Sequence, residues 1–127
     1  MKKYAYIALG LIFVAGLVWL IVTPGKSGPY DGFAQCLKDK GALFYGAFWC
    51  PHCQNQKALF GKSVKYLPYI ECSTPDGRGQ VQMCNDIGIN TYPTWFIPDP
   101  SSTTPTRLTG EISLEELSEK TSCALPS

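Results

Sequence analysis

The sequence predicts an α/β fold: a central mixed sheet flanked by helices and preceded by one N-terminal transmembrane helix. Three observations carry that expectation. The run Ala42–Cys53, ALFYGAFWCPHC, is uncharged until His52 and ends in Cys50-Pro51-His52-Cys53 at a strand-to-helix turn. About forty residues on, Thr91-Tyr92-Pro93-Thr94 stands directly before the apolar run Trp95-Phe96-Ile97. Around these, short apolar runs alternate with helical segments, as in a sheet covered by helices.

The N-terminal segment comes first. Met1-Lys2-Lys3 precedes Tyr4–Val22, nineteen residues without a charge. At about 1.5 Å per residue such a helix is just under the roughly 30 Å hydrocarbon thickness of a bilayer. Residues 1–23 are therefore expected to anchor the chain. A cleaved signal peptide is the competing reading, but it would carry a shorter apolar region and a small-x-small site, and Thr23-Pro24-Gly25 is a poor one. A buried core helix is the plainer alternative, and the uncharged length beside a lysine pair speaks against it. Lys2 and Lys3 would remain cytoplasmic, which places the rest on the extracytoplasmic, periplasmic side. Trp19 near the far end suits an interfacial aromatic. Residues 24–31, containing PGKSGP, read as a linker, residues 32–123 as one domain and 124–127 as a tail.

Within the domain, Asp31 is placed to cap a helix bearing Phe33, Cys36, Leu37 and Lys40, closed by Gly41. Ala42–Phe48 suits a central strand buried on both faces. Pro51 fits the first turn of the next helix, which runs through Ala58-Leu59-Phe60 to Gly61. Tyr69–Cys72 is a short strand, Ser73–Gly79 a turn-rich loop, and Val81–Ile87 a short helix bearing Cys84. Gly88–Thr91 leads into Pro93 and the strand Trp95–Ile97. A wide Pro/Ser/Thr-rich loop then precedes Thr106–Thr109. Ser113-Leu114-Glu115-Glu116 is a capping box, with Ile112 and Leu117 as its hydrophobic staple. A usual first strand is missing unless Pro29–Gly32 supplies a stub.

Composition narrows the function classes. A net charge of +1 with interspersed signs gives no case for nucleic acid. A single histidine, outside any HxxxH or HExxH pattern, makes a catalytic metal unexpected. There is no glycine-rich phosphate loop, and no cofactor is expected. Six cysteines in the exported part suit an oxidising compartment. Cys72 ends a strand and Cys84 sits in the helix that folds back beside it, so these two are expected to pair. Cys36 and Cys123 remain at the two ends of the domain, either as a bridge or as a relay pair exchanging electrons with Cys50.

Cys50 and Cys53 carry the chemistry. Cys50 would lie at a helix N-terminus, where free N–H groups and the dipole favour a thiolate. It is the candidate nucleophile, with Cys53 resolving the mixed disulfide. His52 between them would stabilise that thiolate, and with it the reduced form. Pro93 is expected to be cis, with the Tyr92 backbone facing Cys50 and open to an extended substrate. Trp49 would pack beside the dithiol as a platform. A static CxxC, or half of a zinc site, is the alternative use of the same residues.

A proline directly before a strand, downstream of CxxC, is where a thioredoxin-like fold places its cis-proline loop. FWCPHCQNQKALFG, YIECSTPDGRGQ, INTYPTWFI and LTGEISLEELSEKT together resemble the thioredoxin-like domain fused to bacterial and plant vitamin K epoxide reductase homologues, over roughly Gly32–Cys123. The CPHC core is also that of Dsb-type oxidants. The resemblance implies a thiol–disulfide oxidoreductase forming disulfides in exported proteins, with a vitamin K epoxide reductase-like quinone reductase in the membrane as its reoxidising partner. One departure matters. Such proteins often place a buried carboxylate six residues before the first cysteine, and here that position is Phe44. This disfavours a fast general reductase. A reductase or isomerase fed by a membrane electron carrier, and a non-catalytic thiol or metal-binding module, are the remaining alternatives.

Overall fold

The computed structural model describes residues 2–22 and 26–127. Met1 lies outside the described residues, as do Thr23-Pro24-Gly25 with the candidate cleavage site and the start of the expected linker. The first helix, α1 (Lys2–Val22), holds a stretch long and apolar enough to cross a membrane, Lys3–Val22, none of it buried. Its apolar side chains are exposed on every side of the helix. That rules out a core helix and suits a membrane span or a signal sequence.

The domain runs α2 (Asp31–Asp39), β1 (Leu43–Gly46), α3 (Pro51–Leu59), a 3-10 helix (Gly61–Tyr66), β2 (Tyr69–Glu71), α4 (Gln82–Asp86), β3 (Thr94–Ile97), β4 (Thr106–Thr109) and α5 (Leu114–Thr121). The sheet order is β2-β1-β3-β4. β1 pairs parallel with β2, setting Phe44 opposite Tyr69 and Gly46 opposite Glu71. It pairs antiparallel with β3, and β3 with β4. The parallel pair requires a crossover, which α3 provides, while β3 and β4 form a hairpin. This is a thioredoxin-like fold with an apolar helix added in front.

Alternation along the strands divides the core in two. Phe44, Trp95 and Ile97 face the larger cluster with Phe33, Leu37, Phe60 and Leu117 from the helices. Tyr45 faces the smaller one, with Cys72, Cys84 and Ile89. Phe44 and Trp95 stack at 4.7 Å between ring centroids, and Phe33 stacks on Phe60 at 5.9 Å. At about 25 cal/mol per Å² of apolar surface, rings this large dominate what the core contributes.

Several local expectations are corrected. Asp31 does not cap α2: Tyr30 holds the cap position without a side-chain bond, and the Asp31 carboxylate accepts the Gly28 N–H at 3.0 Å instead. The strand expected over Ala42–Phe48 stops at Gly46. The Phe48 N–H turns to the Glu71 carboxylate and the Cys50 N–H to the Ala47 carbonyl, which bends the chain out of the ladder. Pro29–Gly32 forms no strand stub, because Pro29 and Tyr30 turn and Asp31 already opens α2. At the other end, Ser113 Oγ accepts the Glu116 N–H at 3.1 Å, with Ile112 and Leu117 buried beside it.

Two disulfides close loops of very different length, Cys36–Cys123 with a separation of 87 residues and Cys72–Cys84 with one of 12. In the chain-entropy account the longer loop restrains the unfolded chain more, by about 2 kcal/mol. Chemical denaturation of the Cys36→Ser/Cys123→Ser and Cys72→Ser/Cys84→Ser pairs should therefore show the larger loss in the first. The reverse order would mean that local packing, not loop length, sets their contributions.

Candidate dithiol site

Cys50 is the N-cap of α3, in an extended conformation, with Pro51 opening the first turn. The Cys53 N–H points at Cys50 Sγ, 3.4 Å away, so an unpaired helix donor faces the sulfur itself. On its other side Cys50 Sγ donates to the Tyr92 carbonyl at 3.8 Å. The Tyr92–Pro93 bond is cis, and Pro93 is fully buried. Cys50 and Cys53 are the two free cysteines. Cys50 shows 5% of its surface and Cys53 none, which leaves Cys50 the more accessible of the two.

Burial separates the two sulfurs chemically. It is the main cause that pushes the Cys53 thiol up to about 12, with the neighbouring Cys50 adding to it and Lys57 opposing. Cys53 sits this deep because residue 46 is glycine: a Cβ there would lie 2.9 Å from Cys53 Sγ and 2.9 Å from the Tyr69 ring.

Trp49 is half exposed, donates its indole N–H to Ser73 Oγ at 2.9 Å, and meets the Tyr92 ring edge-on at 6.0 Å. Phe48 beside it is also exposed, so an apolar rim borders Cys50. His52 is exposed, and its Nδ1 lies 2.6 Å from Glu111 Oε1, which also accepts from Asn55 at 3.0 Å. These two bonds, Asn55 first, hold the Glu111 carboxyl below its usual range. Glu111 is fixed in place by its neighbour: buried Gln56 donates to the Ile112 carbonyl at 2.9 Å and accepts the Ile112 N–H at 2.7 Å.

The expected residues Trp49, Cys50, Pro51, Cys53, Tyr92 and Pro93 thus meet at one end of the sheet, with His52 on the rim. Phe44 lies behind them, stacked in the core. Cys36, Cys72, Cys84 and Cys123 are all in disulfides. No group of three or more His, Cys, Asp or Glu side chains among the described residues could hold a metal ion.

Sequence reasoning missed Gly46, Gln56, Tyr69, Glu71 and Glu111. Glu71 Oε1 accepts the Phe48 N–H at 3.2 Å and the Ser73 N–H at 2.9 Å, and Oε2 accepts the Tyr69 hydroxyl at 2.7 Å. Lys57 Nζ sits 3.3 Å above the Tyr69 ring. Burial first, and then the bond to Glu71, raise the Tyr69 hydroxyl above its ordinary range. A signal for this group was available: a strand parallel to β1 that ends in an acid brings that acid level with the start of α3.

No known protein-family profile matches the chain. The chain is similar to the thiol–disulfide oxidoreductase LTO1 of Arabidopsis thaliana, 43% identical over 106 residues that cover 79% of this chain and 26% of the plant protein. The chain thus spans about a quarter of the length of that relative, and the similarity takes in most of this chain's length.

Proposed function

We propose that this chain is a membrane-anchored thiol–disulfide oxidoreductase that introduces disulfides into exported proteins through Cys50 and Cys53. The observation that carries this reading is the pair of free thiols at the α3 N-terminus, one reachable and one buried, beside the Tyr92 carbonyl. A substrate thiolate attacks Cys50 Sγ of the oxidised pair, and Cys53 leaves. A second substrate thiolate then attacks the mixed disulfide at the substrate sulfur, and Cys50 leaves, reducing the dithiol by two electrons. Tyr92 and cis-Pro93 offer backbone to an extended segment, and Trp49 with Phe48 offers an apolar platform. The similarity to a named thiol–disulfide oxidoreductase supports the same chemistry.

Four cysteines in disulfides suit an extracytoplasmic compartment. In this reading α1 is the anchor and the lysines at its start stay cytoplasmic. A vitamin K epoxide reductase-like membrane protein returns the dithiol to the disulfide. The helix N-terminus and His52 both favour the reduced form, which raises the potential by about 30 mV for each 1.4 kcal/mol.

The reduction potential tests the direction of flow. It is expected well above about −200 mV, and His52→Ala should lower it and slow oxidation of a reduced unfolded substrate. A couple near about −270 mV, or one that His52→Ala leaves unmoved, makes the chain a reductase instead.

Alkylation of the reduced protein tests the division of labour. A thiol pushed up to about 12 stays protonated at lower pH, so Cys53 labelling should be slow and should climb about tenfold per pH unit between about pH 6 and pH 10. Cys50 should be labelled first, and Cys53→Ser should accumulate mixed disulfides. Equal labelling at pH 6, or trapping by Cys50→Ser alone, would exchange the two roles.

A further inference from the structure

We propose that Glu71, acting through the Tyr69 hydroxyl, takes the proton from Cys53 when that thiol attacks a mixed disulfide, the task for which position 44 offers only a phenyl ring. This rests on the dithiol function proposed above and names the group that serves it. Cys53 is fully buried and must lose a proton before its sulfur can attack. The titratable groups that interact with it are Cys50 and Lys57 on α3, Tyr69 on β2 and Tyr92 on the cis-proline loop, and both tyrosines in turn interact with Glu71 at the end of β2. Lys57 is a cation with no acceptor, and Tyr92 presents its carbonyl to Cys50 instead. Glu71 is the carboxylate of the group.

Register brings it there. Gly46 and Glu71 are direct partners in the parallel ladder, and Phe44 and Tyr69 are partners one pleat earlier, so all four belong to one face of the sheet. Cys53 Sγ and the Tyr69 ring edge both crowd the point where a Gly46 Cβ would stand. The Tyr69 hydroxyl is already bonded to Glu71 Oε2, and Lys57 over the ring compensates the negative charge that develops on the Cys53 sulfur. A phenol held in its protonated form passes a proton on without keeping the charge.

In the step, the Cys53 proton leaves along Tyr69 to Glu71 as the Cys53 sulfur attacks Cys50 Sγ. The Cys50–Cys53 bond forms, the bond from Cys50 to the partner sulfur breaks, and the partner departs as a thiolate. The dithiol is oxidised and the partner disulfide reduced. In the oxidising direction the same proton returns to Cys53 as it leaves.

The reduced full chain in detergent, with its other disulfides intact, is mixed with the chromogenic disulfide dithiobis(nitrobenzoate). Attack by Cys50 releases one thionitrobenzoate, and attack by Cys53 releases the second. In Glu71→Gln and in Tyr69→Phe, the rate of the second release relative to the first should fall at least about tenfold near pH 6. The second release should also become proportional to hydroxide, and Glu71→Asp should recover part of the rate. Tyr69→Phe leaves the Glu71 bonds to Phe48 and Ser73 in place, so it separates the proton path from loop support. An unchanged second release in both variants, or an equal slowing of both releases, overturns the proposal while leaving the dithiol function standing. A wild-type chain that releases no second thionitrobenzoate overturns both.

Discussion

The seat of α3 on β1 depends on one missing side chain. At Gly46 the strand ends, and the helix that follows drops its first turn onto the backbone so closely that Cys53 Sγ and the Tyr69 ring fill the space of a Cβ. Because α3 sits that low, the sulfur at its third position is sealed from water while the one at its cap looks outward. Interiors pack at crystal-like density, so a methyl group here could be accommodated only by lifting the helix or turning the thiol. Lifting the helix would also pull Cys50 away from the Tyr92 carbonyl.

From that seat the asymmetry of the dithiol follows. Two identical thiols in one turn become different reagents because one borders the helix donors near the surface and the other lies against Gly46 and beside Tyr69. Desolvation penalises the charged form of the inner sulfur, while the Cys53 N–H at the helix N-terminus points at the outer one. In the proposed function the outer thiol waits as the nucleophile, and the inner one reacts when its proton has somewhere to go. The same depth that would make Cys53 a selective resolver in that function makes it dependent on its polar neighbours.

What could be read from the sequence was what local chemistry dictates. Pro51 after Cys50, Pro93 before an apolar run and Ser113 before Glu116 each act within one turn, and each element lies where those residues indicate. Misplaced features were those decided by contacts across the fold. The end of β1 is set by Glu71 drawing in the Phe48 N–H from 23 residues away. Asp31 looked like a cap, yet its carboxylate found the Gly28 N–H and left the cap position to Tyr30. Gln56, unremarkable on a helix, pairs both its amide groups with Ile112 across 56 residues. Such long-range partners have no local spacing to betray them, and only strand register would have brought Glu71 into view.

The charges around the dithiol pull in opposite directions, and their settings decide which prevails. Glu111 faces His52 at the solvent rim, where water and salt screen it. It holds the imidazole in place. Glu71 is closer to the buried side, but three donors already divide its charge among Phe48, Ser73 and Tyr69. Against these stand the Cys53 N–H aimed at Cys50 and the Lys57 ammonium above Tyr69. The helix fixes the N–H contact beforehand, so it needs no reorganisation. A preorganised donor at short range is set against carboxylates that are screened or already hydrogen-bonded, and in the function proposed above it is this donor that inclines the couple toward an oxidant.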